Sequence, residues 1–456
     1  MTGPTRSPRW HRAWTVSAVT LGALVAGAAF RSSTGVLLEP LEREFGWDRA
    51  TTSGAVTVNL VLYGLVAPFA AALMQRWGVR PVVAAALTLV GLASAATTLM
   101  TSAWQLWLLW GVAVGVGTGS MALVFGAIVA NRWFVRHRGL ITGLFSAANA
   151  TGQLIFLPLV AAAASGPGWR YAAVTVAVLA LLLVPFVLGF LHDHPQDVGT
   201  TAYGAPPVTT QGPASATAGR SAPPQRANAA SAARVTWETL LLAGQHWAFW
   251  ALMLTFFVCG WSTNGLIQTH FVPAAHDHGM PVGTAAGLLA VVGLFDIVGT
   301  IGSGWLTDRV DARYLLGIYY SLRGLSLLVL PGLLGPDVAP SLWVFIVFYG
   351  LDWVATVPPT VALCRRHFGI DDSGVVFGWV FASHMVGAGA GASVAGLVRQ
   401  GYGDYRLAWL AAGGLCLLAA VAALAIPAAG AAPRGLREAP RHQQDQQNQQ
   451  DQPGYR

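Results

Sequence analysis

The chain has 456 residues, a formal net charge of +7, and 54% hydrophobic against only 10% charged residues. A soluble domain carries roughly 25% charged residues, so this composition cannot furnish a water-facing surface and reads as an integral membrane protein. All 26 basic residues are arginine; without lysine there is neither a Walker-type phosphate loop nor a Schiff-base lysine, and no ATP-driven engine is expected.

Residues 1–13 carry Arg6, Arg9 and Arg12 and are expected to form a cytoplasmic N-terminus. Six apolar segments follow at 14–38, 51–74, 79–101, 105–131, 139–164 and 168–191. Each suffices for a hydrocarbon core about 30 Å thick, and lipid obliges each to be helical because no water is there to satisfy the backbone. Span 1 lacks a small-residue cleavage site and is interrupted by Arg31, so it reads as a retained helix rather than a signal peptide. Residues 192–245 turn rich in Pro, Ala, Ser, Thr and Gly and are expected to be a disordered cytoplasmic linker. Spans 7 to 12 read as 246–271, 284–306, 312–335, 340–364, 374–399 and 404–428. The remainder, 431–456, with its Gln/Asn/Asp run, is expected to be a disordered cytoplasmic tail. Cys259, Cys364 and Cys416 lie in or beside apolar runs, with no disulfide or metal-ligand spacing; neither metal nor cofactor is expected.

Arginine placement orients the chain. With the N-terminus inside, the short loops on that side hold Arg76, Arg80, Arg132, Arg136, Arg138, Arg309, Arg313, Arg365 and Arg366. The opposite side holds Arg43, Arg49, Arg170, Arg399 and Arg406. The excess of arginine marks the cytoplasmic face, which places both termini and the linker there.

The two halves repeat. The basic loop after span 2, with Gln75, Arg76 and Arg80, returns after span 8 as Asp308, Arg309 and Arg313. Gly139, Gly143 and Gly152 recur as Gly374, Gly378 and Gly387, each 235 positions on. Six spans, a linker and six more spans make a parallel repeat, an architecture common among secondary transporters. The expected fold is an all-α membrane protein of twelve transmembrane helices in two six-helix pseudo-symmetric bundles, 14–191 and 246–430.

Three stretches carry a family likeness. The pattern Gly-x-x-x-Asp-Arg-x-Gly-x-Arg is recognisable at Gly304 to Arg313, with Asp311 at its second Gly, and at 71–80, with Ala71 for the first Gly and Gln75 for Asp. Trp133-Phe134-Val135-Arg136-His137-Arg138-Gly139 leads into a small-residue helix that runs on through Gly143-Leu144-Phe145-Ser146-Ala147-Ala148-Asn149. Phe30-Arg31-Ser32-Ser33-Thr34-Gly35-Val36, then Pro40, closes span 1. On these the chain resembles the major facilitator superfamily, and within it the monocarboxylate and oxalate/formate transporter branch. The resemblance implies that spans 1, 4, 7 and 10 line a central cavity, spans 2, 5, 8 and 11 flank it, and spans 3, 6, 9 and 12 stand outside. It also shows two departures. Carboxylate-transporting members carry Asp and, four residues on, a carboxylate-binding Arg in span 8; here Asp296 is followed by Thr300. Oxalate-type members bear Lys in span 11, where this chain has His384.

Ionisable residues inside the membrane cost several kcal/mol unless paired or wetted, so each is a site candidate. Arg31 is a candidate anchor for a substrate carboxylate through a bidentate pair, the alternative being an arginine snorkelling to the outer face. Asp296 is a candidate proton carrier or a permanent structural partner of Arg323 on the next helix. Asp352, just before Pro358-Pro359, is a second proton carrier or a partner for Arg31. Arg323, on an outer-ring helix, is read as structural. His384 is a pH-sensitive or simply hydrogen-bonded histidine, and His270 a further proton-coupling candidate near the outer end of span 7. Asn264 and Gln268 form a polar stripe one turn apart on span 7, and Asn149 and Gln153 repeat it on span 5, giving four candidate substrate contacts beside Arg31 and His384. Gln75, Arg76, Arg80, Asp308, Arg309 and Arg313 are expected to gate the cytoplasmic side through inter-helix ion pairs and helix-end contacts. Gln75, standing in place of an acid, is expected to leave the N-half latch weaker than the C-half one.

The sequence thus reads as a secondary transporter working by alternating access in a bacterial inner membrane. Its cargo is expected to be a small organic anion, monocarboxylate-like, moved by proton symport or exchange. The rivals are a proton-coupled exporter of amphipathic compounds and, behind it, a transporter-like membrane sensor. No nucleophile–base pair stands out, so no enzyme is expected; nor is a nucleic-acid partner, and the expected state is monomeric.

Overall fold

The computed structural model describes residues 11–148, 151–152, 168–206 and 230–428, and among these it is helical, with one isolated β-bridge between Phe134 and Tyr203. Nine helices among the described residues are long and apolar enough to cross a membrane. One of them, Pro340–Tyr402, is two spans run together. Gly369, at φ 78°, breaks it, so span 10 ends and span 11 begins at a left-handed residue that glycine adopts without strain. With Arg12–Phe45 and the described start of span 5 at 138–148, the count reaches twelve.

Several helices outrun the apolar segments read from the sequence. Span 1 extends over Arg12–Phe45 and closes on Gly46 at φ 66°; span 7 extends over Trp247–Asp277. Polar turns at the ends stay helical because the backbone hydrogen bonds continue past the apolar segment.

Within each half, packing is set by small residues. Gly111, Gly115 and Gly119 on span 4 lie against Ala55, Asn59 and Tyr63 on span 2, and a Cβ at any of them would press on span 2 backbone. The four-residue step on both helices keeps the seam continuous. Asn59 crosses it, donating to the Trp110 carbonyl at 2.8 Å.

Between the halves, the same device appears twice. Span 5 crosses span 8 at Gly139 and Gly143, which lie on Gly304 and the Thr300 carbonyl. Span 11 crosses spans 2 and 4 at Gly374 and Gly378, which lie on Ile128 and Pro68. These are the repeat mates seen in the sequence. Both crossings sit toward the end of the molecule that carries the basic loops, the basic end, and hold it closed.

The stretch between the halves differs from the disordered linker expected. Residues 192–206 fold back on the N-half: Asp193 accepts from the Val79 and Arg80 N–H groups at the start of span 3. Tyr203 exchanges backbone bonds with Trp133 and Val135, at 2.8 and 2.9 Å. Further on, Ala230–Ala243 is a helix. Alanine, read as low complexity, is also the strongest helix former, and Val235, Thr236, Thr239 and Leu240 give this segment a face to pack. The rest of that stretch, and the tail from 431, lie outside the described residues.

Candidate functional site at two interrupted helices

Spans 4 and 10 are both interrupted in mid-membrane, at matching places. Span 10 loses its helix over 353–356 and span 4 over 121–122; Val354-Ala355 stands 233 positions after Met121-Ala122, the spacing that relates Asp308 to Gln75. The cause in span 10 is local. Pro358 and Pro359 have no N–H to return to the carbonyls four residues earlier, so the turn before them opens. Backbone groups released inside a membrane must find side-chain partners, and interrupted helices in corresponding positions of two repeats are where transporters build substrate sites.

The released groups of span 10 are taken up by two neighbouring helices, spans 8 and 9. Ser303 of span 8 donates to the Ala355 carbonyl at 2.5 Å. Arg323 of span 9 donates to the carbonyls of Asp352 and Trp353. The Val354 N–H donates to Asp296 Oδ1 of span 8 at 3.0 Å, and the Thr300 hydroxyl donates to the same oxygen at 2.7 Å. Asp296, 1% exposed, is therefore held by two neutral donors. Among the described residues it makes no ion pair.

Arg323 is 0% exposed and its ion-pair partner is Asp352, not Asp296: Nε donates to Asp352 Oδ2 at 2.7 Å. Nη1 donates to the Cys259 sulfur at 3.2 Å, and that sulfur also lies 3.3 Å from the Thr356 hydroxyl. Four of the five guanidinium N–H groups are thus engaged. The pairing corrects two expectations, Asp296 with Arg323 and Asp352 with Arg31. Helix order alone does not fix azimuth, and the opened turn of span 10 aims Asp352 at span 9. Asp352 Oδ1 is buried without a hydrogen-bond partner among the described residues.

His384 stands half-buried on span 11, its ring parallel to Phe381 at 6.0 Å and 4.9 Å from Phe256. Phe381 in turn meets Tyr63 of the other half at 5.4 Å, so an aromatic wall crosses between the halves. His384 Nδ1 is buried without a partner among the described residues. His270 lies apart: Nε2 donates to the Ala392 carbonyl at 2.8 Å, which leaves Nδ1 to accept from the Tyr405 hydroxyl at 3.3 Å. Asn264 and Gln268 do not share one environment. Trp261–Ile267 is a π-helical turn, wider than an α turn, so Asn264 is half-buried and Gln268 exposed. Such turns cluster at functional sites. Arg31 lies on the helix Arg12–Phe45, its side chain outside the described residues; Asn149 and Gln153 lie outside them altogether.

Of the basic-end group, two residues reach across the halves. Asp308 accepts from the Gly139 and Leu140 N–H groups, at 2.7 and 3.1 Å, and so caps span 5. Gln75 donates to the Asp371 carbonyl at the start of span 11. Arg309 stays on its own helix, over the Trp305 indole at 3.8 Å and donating to the Trp305 carbonyl. Arg313 pairs with Asp311 at 3.2 Å and donates to the Ile426 carbonyl, while Arg76 lies over Trp77. Arg80 contributes its backbone N–H to Asp193.

The pattern that defines the Major Facilitator Superfamily matches residues 19–392. The chain belongs to that family. It is similar to the uncharacterized MFS-type transporter YcxA of Bacillus subtilis, 27% identical over 84% of this chain and 87% of that protein. It is similar to monocarboxylate transporter 13 of Rattus norvegicus, 26% identical over 92% of this chain and 89% of that protein. Its fold matches the crystal structure of the Escherichia coli fucose:proton symporter FucP, with a TM-score of 0.63, 16% identity, and 90% and 98% of the two chains covered. The protein is a multi-pass membrane transporter of twelve helices, and the interrupted spans 4 and 10 lie at the heart of its two repeats.

What the sequence missed here is Cys259, Ser303, Thr356 and the open turn itself. The signal was present: Gly117-x-Gly119 and Pro358-Pro359 interrupt the two matching spans.

Proposed function

We propose that the transporter carries a small, monocarboxylate-like organic anion across a bacterial cytoplasmic membrane, by proton symport or exchange. Asp296 carries this reading. A buried carboxyl held only by the Thr300 hydroxyl and the Val354 N–H gains and loses a proton without breaking an ion pair, which is what a coupling group must do. Asp352 is the poorer carrier, because its proton would have to displace Arg323.

The buried arginine of the C-half is committed to Asp352. The anion anchor is then supplied from the N-half, by Arg31, with His384 and the span-5 and span-7 amides around it. One cationic anchor suits a singly charged acid. Relatives named monocarboxylate transporters support the same class. The arginine-rich basic end faces the cytoplasm, with both termini on that side, and the protein works as a monomer.

A second reading, proton-coupled export of amphipathic compounds, draws on the aromatic wall of Tyr63, Phe381, His384 and Phe256. The experiment is uptake of labelled lactate, pyruvate and oxalate into proteoliposomes, with and without an inward proton gradient, for wild type, Arg31→Gln and Asp296→Asn. Gradient-stimulated uptake of the monoacids, abolished in Arg31→Gln and reduced to exchange in Asp296→Asn, is expected. Full gradient stimulation in Asp296→Asn removes the proton role. No uptake of any acid by folded protein overturns the substrate class in favour of export.

A further inference from the structure

The helix Ala230–Ala243 precedes span 7 and lies against span 2 of the N-half and span 11 of the C-half. Its buried face is Ala232, Thr236, Thr239 and Ala243, at the four- and three-residue steps of one helical stripe. Trp379 of span 11 donates from Nε1 to the Thr236 carbonyl at 3.2 Å. Its ring stacks on Trp237 at 5.7 Å and 11°, and meets Phe69 of span 2 edge-on at 6.1 Å. One tryptophan thus joins this helix to both halves, beside the Gly378–Pro68 crossing that closes the basic end.

The outward face is divided. Trp237 and Leu241, one turn apart, are 58% and 68% exposed. Arg234 and Glu238, paired with each other at 2.5 Å, occupy the neighbouring stripe. The apolar stripe continues the exposed apolar surface of Leu65 and Phe69 on span 2 and of Trp250 on span 7, and Trp250 donates to the Gly244 carbonyl just past the helix. A helix with an apolar edge joined to transmembrane surface and a charged edge turned away has the build of one lying in the membrane interface.

We propose that Ala230–Ala243 is an interfacial helix, its Trp237 and Leu241 edge seated in the headgroup–acyl boundary of the bilayer, and that it clamps spans 2 and 11 in the closed state of the basic end. The lipid surface holds the helix in place; the Trp237–Trp379–Phe69 stack transmits that hold to both halves. Opening the basic end separates span 2 from span 11, and so breaks the Phe69 contact.

The described cysteines are buried, which leaves introduced ones open to selective labelling. Nitroxides at Leu241→Cys, Arg234→Cys and Glu238→Cys, in the full chain in liposomes, are compared for collision with oxygen and with a nickel chelate. Position 241 is expected to show an oxygen-to-nickel ratio several-fold above that at 234 and 238. Equal nickel access at 241 overturns the lipid contact, and so does shielding of 241 from both probes, the mark of a second copy. In a Gln75→Cys/Asp371→Cys pair, disulfide yield reports the closed basic end, and Trp237→Ala is expected to lower it several-fold. An unchanged yield, with the variant monodisperse by gel filtration, overturns the clamp. Neither readout depends on which substrate is carried.

Discussion

Asp308, at the end of span 8, accepts the backbone N–H of Gly139, at the start of span 5, at 2.7 Å, so a carboxylate of one half caps a helix of the other. The first turn of a helix leaves its N–H groups without partners, and an anion there meets the positive end of the helix dipole, typically worth about 1 kcal/mol. The contact exists only while the two halves meet at the basic end. Asp308 is therefore a conformational weight as well as a cap. Asp308→Ala is expected to move the balance toward the open basic end by about 1 kcal/mol, roughly fivefold in a two-state population. Disulfide yield in a Gln75→Cys/Asp371→Cys pair measures it, and an unchanged yield shows that the cap carries no conformational weight.

The Arg323–Asp352 pair leads to a prediction about stability. Removing either partner strands the other charge in the C-half interior, which costs about 3–5 kcal/mol. Arg323→Gln and Asp352→Asn should each lower the thermal midpoint in detergent markedly. The double variant Arg323→Gln/Asp352→Asn should be less destabilised than the sum of the two, because contacting residues couple. Strict additivity in the three melting curves would mean that the carbonyls of Asp352 and Trp353, rather than the carboxylate, are the partners that matter.

Outside the membrane, Asp311 gives the pH prediction. Partial burial works against its charge, but the hydrogen bonds and charge of Arg313, with the charge of Arg366, hold its carboxyl below the ordinary value. A carboxyl lowered in the folded state adds stability that is complete above about pH 4, the unfolded value, and is lost as pH falls through the folded one. The melting midpoint of the wild type should therefore drop on acidification below that pH. Asp311→Asn should show a smaller drop and start from a lower midpoint at neutral pH. A parallel pH dependence in the two proteins rules out Asp311 as a contributor.

Much of the architecture was legible because lipid leaves few choices. Spans had to be helices once they were apolar and long enough, and the glycine offset between Gly139 and Gly374 marked the repeat, though not that these glycines lie at the crossings between the halves. Pairing inside the membrane was not legible. Asp296 and Asp352 both sit at a depth that Arg323 can reach, and which one it meets depends on the opened turn before Pro358-Pro359. The π turn at Trp261–Ile267 likewise separates Asn264 from Gln268 by a change that residue spacing does not register. Ala230–Ala243 was hidden by its composition, since alanine-rich sequence reads as linker or helix according to what it packs on.

Gln75 supplies the last prediction, and the structure alters its sign. As a counterpart of Asp308, an acid at this position reads as a stronger latch. In the fold, however, Gln75 donates to a carbonyl, that of Asp371, where Asp308 accepts from N–H groups. A carboxylate has no hydrogen to donate, and at position 75 it would face the Asp371 carbonyl oxygen with the carboxylates of Asp371 and Asp372 nearby in sequence. Gln75→Asp should open the basic end, and Gln75→Glu should do the same. A Phe69→Cys/Trp379→Cys pair, whose parent rings lie 6.1 Å apart across spans 2 and 11, reports the change as lower cross-linking yield. A higher yield in Gln75→Asp would show that the new acid turns to cap span 11, as Asp308 caps span 5, and that the repeat rather than the present hydrogen bond governs the latch.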